Sequence, residues 1–172
     1  LRGYGLLTDR PLLVALNRWE TEAGKPLPEG IAARLEELDA AGLVLSASVE
    51  AEIAGLEPED QAAFLEDLGV SEPALARFIR TAYGLLDLIS FFTVGEDEVR
   101  AWTIRRGTRA RQAAGRIHSD LERGFIRAEV TPCSIFMELG SEQAVRDAGR
   151  LQVEGKDYVV SDGDIMHVRF NV

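Results

Sequence analysis

The sequence predicts an α/β segment over residues 1–86 followed by an α+β segment over residues 87–172. Three observations carry this. Two short, continuous apolar runs flank a helix-spaced stretch in the first part, as in a βαβ unit. β-Branched and aromatic residues in alternation take over from Ile89. No Gly-, Pro- or Ser-rich linker separates the two patterns, so the boundary is expected at Leu85–Leu88 with a short connection.

In the first part, Pro11 to Leu16 reads as a strand buried on both faces, ending at Asn17. Polar sequence with Gly and Pro covers Glu20 to Gly30. Ile31, Leu35 and Leu38 then share one face of a helix that Gly42 is expected to stop. Leu43-Val44-Leu45 is the second strand, closed by Ser46-Ala47-Ser48. Glu57-Pro58-Glu59 opens a helix that ends at Gly69. Ser71 is the expected N-cap of another, with Leu75, Phe78, Ile79, Ala82 and Leu86 facing the sheet.

In the second part, Ile89–Val94 and Val99–Ile104 read as a hairpin around Gly95-Glu96-Asp97. A helix follows over Thr108–His118, then a strand over Phe125–Val130. Ser141 starts a short helix through Ala148. Tyr158–Val160 and Ile165–Phe170 are predicted to form a last hairpin around Asp162-Gly163-Asp164. Two strands, a helix and then further strands is the β-grasp order.

Composition excludes several classes. At 172 residues and 46% hydrophobic content the chain suits one packed domain or two small ones. No apolar run approaches the roughly 20 residues of a membrane span, and the front does not read as a secretory leader. Leu1 to Leu7 reads as the tail of something longer. Cys133 is the single cysteine, so no internal disulfide forms, which fits a reducing compartment; it reads as a small, partly buried residue. His118 and His167 lie far apart and make no metal-ligand spacing with it. The net charge is −10, unevenly spread. Between Val99 and Ala128, Arg100, Arg105, Arg106, Arg109, Arg111, Arg116, Arg123 and Arg127 face only Asp120 and Glu122. That stretch is +6 and the remainder −16, which directs any polyanion to one face; an arginine-rich solvated surface is the plain alternative.

Several blocks are specific in their joint order: Phe92-Thr-Val-Gly95, Glu98 to Ile104, Gln112 to His118, Gly124-Phe-Ile126, Gly155-Lys-Asp-Tyr158, Asp162-Gly-Asp164 and Phe170-Asn171. Together they resemble the YchF/Obg-like ATPase family nearly end to end. The resemblance implies that residues 1–86 are the C-terminal part of an OBG-type P-loop nucleotide-binding domain, with 1–7 the end of an inserted helical arm. Residues 87–172 would be a TGS domain, a ubiquitin-like β-grasp module. It implies Mg2+ with ATP or GTP as cofactor, a ribosome or ribosomal RNA as partner, and a cytoplasmic setting. It also implies that the phosphate loop, magnesium ligands and switches precede this chain, which contains no G-x-x-x-x-G-K-[ST]. Residues 1–172 alone are therefore expected to be inactive.

Under the same resemblance, Asn17-Arg18-Trp19-Glu20 matches the Asn-x-x-Glu base motif and Ser46-Ala47 the base loop, which makes Asn17, Arg18, Glu20, Ser46 and Ala47 candidate purine contacts. An Asn amide can donate to purine N7. Glu20 stands where guanine-specific relatives of this class have Asp, one methylene shorter, so relaxed guanine specificity and ATP use are implied. Read without the resemblance, Asn17 is as well explained as a turn or cap residue. Arg100, Arg105, Arg106, Arg109, Arg111 and Arg116 are the candidate RNA or ribosome contacts, because guanidinium forks suit phosphates; Arg111 replaces a Pro common in the family. Trp102 and Phe125 could stack on a base, though an alternating-strand Trp more often packs in a core. His118 and His167 read as structural. The competing class is a non-enzymatic RNA- or ribosome-binding module, since TGS domains also occur in threonyl-tRNA synthetases and stringent-response enzymes.

Overall fold

Parallel pairing of two apolar runs builds the first unit. β1 (Leu13–Asn17) lies beside β2 (Ala41–Leu45), with Leu13 opposite Ala41 and Asn17 opposite Leu45. The computed structural model describes residues 2–4, 6–95 and 97–171, and the chain divides into the units Leu1–Leu86 and Asp87–Val172. Of the expected arm end, Leu1 and Gly5 lie outside the described residues, as does Glu96 of the expected turn; Arg2–Tyr4 and Leu7–Asp9 form 3-10 turns.

α1 (Glu29–Glu37) connects the strands and buries Leu35. Gly42 does not stop it. The helix ends at Leu38, Asp39 adopts a left-handed φ of 51°, and Gly42 sits within β2 opposite Val14. A short polar side chain tolerates that φ. Gly42 is there for space: a Cβ would strike Leu35 Cδ1 and approach Leu27 Cδ1 to 2.9 Å. α2 (Ala47–Gly55) follows directly, where the sequence predicts only the end of a strand. Its Val49 and Ile53, four apart, bury against Leu65 of α3 (Pro58–Asp67), with Phe64, Leu68 and Val70 around them. Gly69, at φ 67°, ends α3 as expected.

α4 (Ala74–Leu85) begins after Pro73, so Ser71 does not cap it. Glu50 of α2 does: its carboxylate accepts from the Ala74 N–H at 2.8 Å and the Leu75 N–H at 3.4 Å, which also opposes the positive end of the helix. The predicted inward face is not inward. Leu75, Phe78, Ile79 and Leu86 are exposed, while Arg77 and Thr81 share a crevice with Leu43 and Val44 of β2.

The second unit contains β3 (Leu88–Val94), β4 (Val99–Arg105), α5 (Ala110–Ile117), α6 (Ser119–Arg123), β5 (Phe125–Pro132), α7 (Cys133–Leu139), α8 (Glu142–Asp147), β6 (Gln152–Glu154) and β7 (Asp164–Phe170). The sheet order is β4-β3-β7-β5-β6. β3 and β4 form the expected antiparallel hairpin. β7 enters the middle, parallel to β3 and antiparallel to β5. The predicted last hairpin is absent. Tyr158–Val160 instead runs beside the start of α5, where Ala110 N–H donates to Tyr158 O at 2.8 Å and Val160 N–H to Thr108 O at 3.0 Å. The Asp162-Gly163-Asp164 loop clasps β3: Asp162 Oδ1 accepts from the Ser90 N–H at 2.9 Å, and Gly163 N–H donates to Ser90 O at 2.8 Å. Buried Asp164 accepts from Tyr158 OH and Ser161 N–H, each at 2.8 Å. Burial first, then the hydrogen bond to Asp164, pushes the Tyr158 phenol up to about 12.

One face of the sheet packs on α5, whose Ala110 and Ala113 are fully buried against Ile89, Phe91, Val130 and Met166, and whose Ala114 is also fully buried. Small side chains let the helix lie close. The other face holds a buried carboxylate, Glu129. Arg169 grips it through Nε at 3.2 Å and Nη2 at 3.1 Å, Arg146 of α8 reaches it at 2.9 Å, and Arg127 lies at 3.8 Å. The Arg169 hydrogen bond, then that of Arg146, outweigh burial and hold its carboxyl down to about 2.

Candidate functional site

Ligands of open α/β sheets sit beyond the carboxyl ends of the strands, and β1 and β2 end side by side at Asn17 and Leu45. The Arg18 N–H donates to Leu45 O at 2.9 Å and fixes the exit of β1. Asn17 Oδ1 accepts from the Ala47 N–H at 2.9 Å, thirty residues later. That bond satisfies one of the orphan donors at the start of α2. Ser46, in the N-cap position, makes no cap bond of its own; it is buried, with its Oγ 3.0 Å from Ser48 Oγ. The Asn17 amide is thereby oriented, with Nδ2 left to donate.

A cleft of about 600 Å³ opens there, lined by Leu16, Asn17, Arg18, Trp19, Glu22 and Ser48. Arg18 lies 3.7 Å from Glu22, which Lys25 also approaches at 3.3 Å. The structure brings Asn17, Arg18, Ser46 and Ala47 together. Glu20 starts a 3-10 turn, Glu20–Glu22, and lines a neighbouring cleft with Thr21, Gly24, Lys25, Asp67, Leu68 and Gly69. Glu22 is the carboxylate on the Asn17 cleft, and Trp19 and Ser48 join it there. Sequence reasoning missed these three; the available signal was their closeness in sequence to Asn17 and Ser46. A cleft of similar size, about 670 Å³, lies at the amino end of β1 against Leu7, Pro11, Leu12 and Leu38, the wrong end of the sheet for a ligand of this architecture.

The arginine stretch is partly neutralised. Arg106 pairs with Asp87 at 3.2 Å and Arg109 with Asp157 at 2.5 Å, and Arg123 pairs with Asp120. Arg111 Nε donates to Glu122 O at 3.1 Å. Arg100 lies 4.5 Å over the Trp102 ring, and Trp102 Nε1 donates to Thr93 Oγ1 at 3.0 Å, so this Trp serves the packing. The Arg105 and Arg116 side chains are exposed and make no hydrogen bond or ion pair among the described residues. His118 Nδ1 accepts from the Asp120 N–H at 3.2 Å and caps α6.

Residues 88–171 match the YchF-GTPase_C family profile, described as a protein of unknown function (DUF933). Over its whole length the chain is similar to the ribosome-binding ATPase YchF of Haemophilus ducreyi, at 44% identity over 173 residues, covering 100% of this chain and 48% of that protein. The chain belongs to the YchF/Obg-like ATPase family. Other YchF/Obg-like relatives agree. The Bacillus subtilis ribosome-binding ATPase YchF is 45% identical over 172 residues, covering 97% of this chain and 47% of that one. Obg-like ATPase 1 of Rattus norvegicus is 40% identical over 176 residues, covering 99% and 44%. The solved Schizosaccharomyces pombe YchF GTPase superposes with a TM-score of 0.79 at 34% identity, covering 92% of this chain and 43% of that one. The α/β architecture, a mixed sheet with helices, is thus that of a YchF protein. The chain spans about half the length of the curated relatives it matches.

No group of three His, Cys, Asp or Glu side chains among the described residues converges to hold a metal ion. No helix among the described residues is long and apolar enough to cross a membrane.

Proposed function

We propose that this chain carries the purine-binding wall and the C-terminal accessory domain of a nucleotide-dependent P-loop hydrolase that works at the ribosome in the cytoplasm. The observation that carries it is the Asn17 amide, held by the Ala47 N–H at 2.9 Å where β1 and β2 end. With Oδ1 engaged, Nδ2 meets an acceptor such as purine N7, and the Arg18 and Ser46-Ala47 segments border the base. Glu20 enters through its place in the motif, although it lines the neighbouring cleft. ATP is the expected nucleotide and GTP a tolerated one. Mg2+ would come with the nucleotide.

Residues 87–172 are proposed as a TGS-type β-grasp domain. In support, the first and last strands lie side by side in parallel at the sheet centre, with one helix across one face. Arg105 and Arg116 are the proposed phosphate contacts, with Arg100 and Arg111 as further candidates.

The test is nucleotide binding and Mg2+-dependent hydrolysis in the full-length protein and in residues 1–172. Turnover is expected in the first alone, because phosphoryl transfer depends on the phosphate loop, metal and switches. Turnover by residues 1–172 would overturn that division. Full-length protein that binds ribosomes but no nucleotide would favour the non-enzymatic module, the reading that Arg105 and Arg116 support by themselves.

A further inference from the structure

Two tryptophans occur in the chain, and they are treated oppositely. Trp102 is partly buried, packed against the core and hydrogen-bonded to Thr93 at 3.0 Å. Trp19 is 81% exposed. It is not on a loose loop. On one side the Arg18 N–H is bonded to Leu45 O at 2.9 Å; on the other, Trp19 O accepts from the Glu22 N–H at 2.9 Å. Its backbone is pinned at both ends, and the side chain lines the Asn17 cleft.

We propose that Trp19 is the stacking platform for the purine ring in that cleft, an inference that rests on the base-binding reading of Asn17. A purine presents a polar edge and two apolar faces. The oriented Asn17 amide can address the edge and can do nothing for a face. The Arg18 guanidinium is drawn 3.7 Å from Glu22, so the large aromatic surface on this wall is the indole. A volume of about 600 Å³ accommodates a purine nucleoside beside it. Stacking on an aromatic ring tolerates any base, because every base has a π-face. Trp19 therefore adds affinity for adenine and guanine alike and leaves the choice between them to the edge contacts. It is a positioning residue and touches none of the reacting atoms.

The experiment uses the full-length protein. ATP and GTP dissociation constants are measured by equilibrium dialysis for the unsubstituted protein and for Trp19→Phe, Trp19→Leu and Asn17→Asp. Trp19→Phe should stay within about threefold, whereas Trp19→Leu should bind both nucleotides about tenfold or more weakly, with their ratio unchanged. The emission of the unsubstituted protein minus that of Trp19→Phe should be quenched on adding ATP, a readout that needs no destabilising change. Binding by Trp19→Leu equal to that of the unsubstituted protein, or no quench of the difference spectrum, overturns the stacking role while Asn17 dependence keeps the base cleft. Failure of the unsubstituted protein to bind either nucleotide overturns both. A Trp19→Leu protein that loses ribosome binding but keeps nucleotide affinity places a macromolecular partner on the indole and also overturns the proposal.

Discussion

Asn17 and Ala47 are thirty residues apart, and one hydrogen bond of 2.9 Å joins the end of β1 to the first turn of the helix after β2. The same side chain is thus a cap and a candidate base reader, and the two roles use different atoms. Asn17→Asp keeps an oxygen for the Ala47 N–H and removes the Nδ2 donor. Asn17→Ala removes both. We expect Asn17→Asp to melt within a few degrees of the unsubstituted protein yet lose purine affinity about tenfold or more. Asn17→Ala should lose that affinity and about 1 kcal/mol of stability as well. Calorimetry with nucleotide titration separates them; full affinity in Asn17→Asp would leave the amide a cap only.

Carboxylate identity is the second expectation. Glu20 holds the motif position, while Glu22 lines the Asn17 cleft. Glu20→Asp in the full-length protein should move the ATP:GTP affinity ratio toward GTP. If competition binding finds the ratio fixed in Glu20→Asp but moved in Glu22→Gln, the carboxylate that reads the base is Glu22.

The arginines that lack acidic partners should carry polyanion binding. Arg105→Gln with Arg116→Gln should weaken RNA or ribosome binding and lower the salt slope by about 2, one for each phosphate contact. Arg106→Gln and Arg109→Gln, whose partners are Asp87 and Asp157, should change it less. Co-sedimentation over a salt series reads this, and equal effects from both pairs would remove the distinction.

Glu129 makes stability depend on acid. Its carboxyl titrates at about 2 in the folded protein against an ordinary 4.5, so the unfolded chain takes up the proton first. The contribution is complete above about pH 4.5 and is lost as pH falls toward 2. Urea midpoints should drop over that window, and Glu129→Gln should flatten the drop. Arg169→Leu should cost on the order of 2 kcal/mol at neutral pH, less than for a lone buried pair because Arg146 and Arg127 remain. A pH profile identical to that of Glu129→Gln would exclude Glu129 as the source.

Much of the fold is legible in the sequence. The β1–α1–β2 unit, the β3–β4 hairpin and α3 with its Gly69 stop all follow from local patterns. Three kinds of feature were not. Caps supplied from a distance, such as Glu50 at Ala74 and Asn17 at Ala47, leave no local mark, so Ser71 looked like the cap and α2 went unseen. Gly42 looked like a helix stop because sequence does not show that Leu35 and Leu27 crowd it. Tyr158–Val160 had strand composition, but its partner lies near Thr108, some fifty residues earlier, instead of beyond the adjacent turn. At the candidate site, the family motif marks Asn17 and Ser46-Ala47 as neighbours at the strand ends, but not the hydrogen bond that joins Asn17 to Ala47. The position of Glu22, and the neutralisation of Arg106 and Arg109, depend on side-chain geometry that spacing does not encode.

The placement of β7 has a consequence for how the second unit comes into being. This strand is translated after every strand it joins, yet it sits between β3 and β5. Until it emerges, the β3–β4 hairpin and the β5–β6 pair have no ladder between them, and the core around Met166 is open. The sheet therefore closes in a late, non-local step, of the kind that slows folding. A nascent chain interrupted within 164–170 would hold two unjoined half-sheets, whereas one shortened only at Asn171 could already have zipped shut.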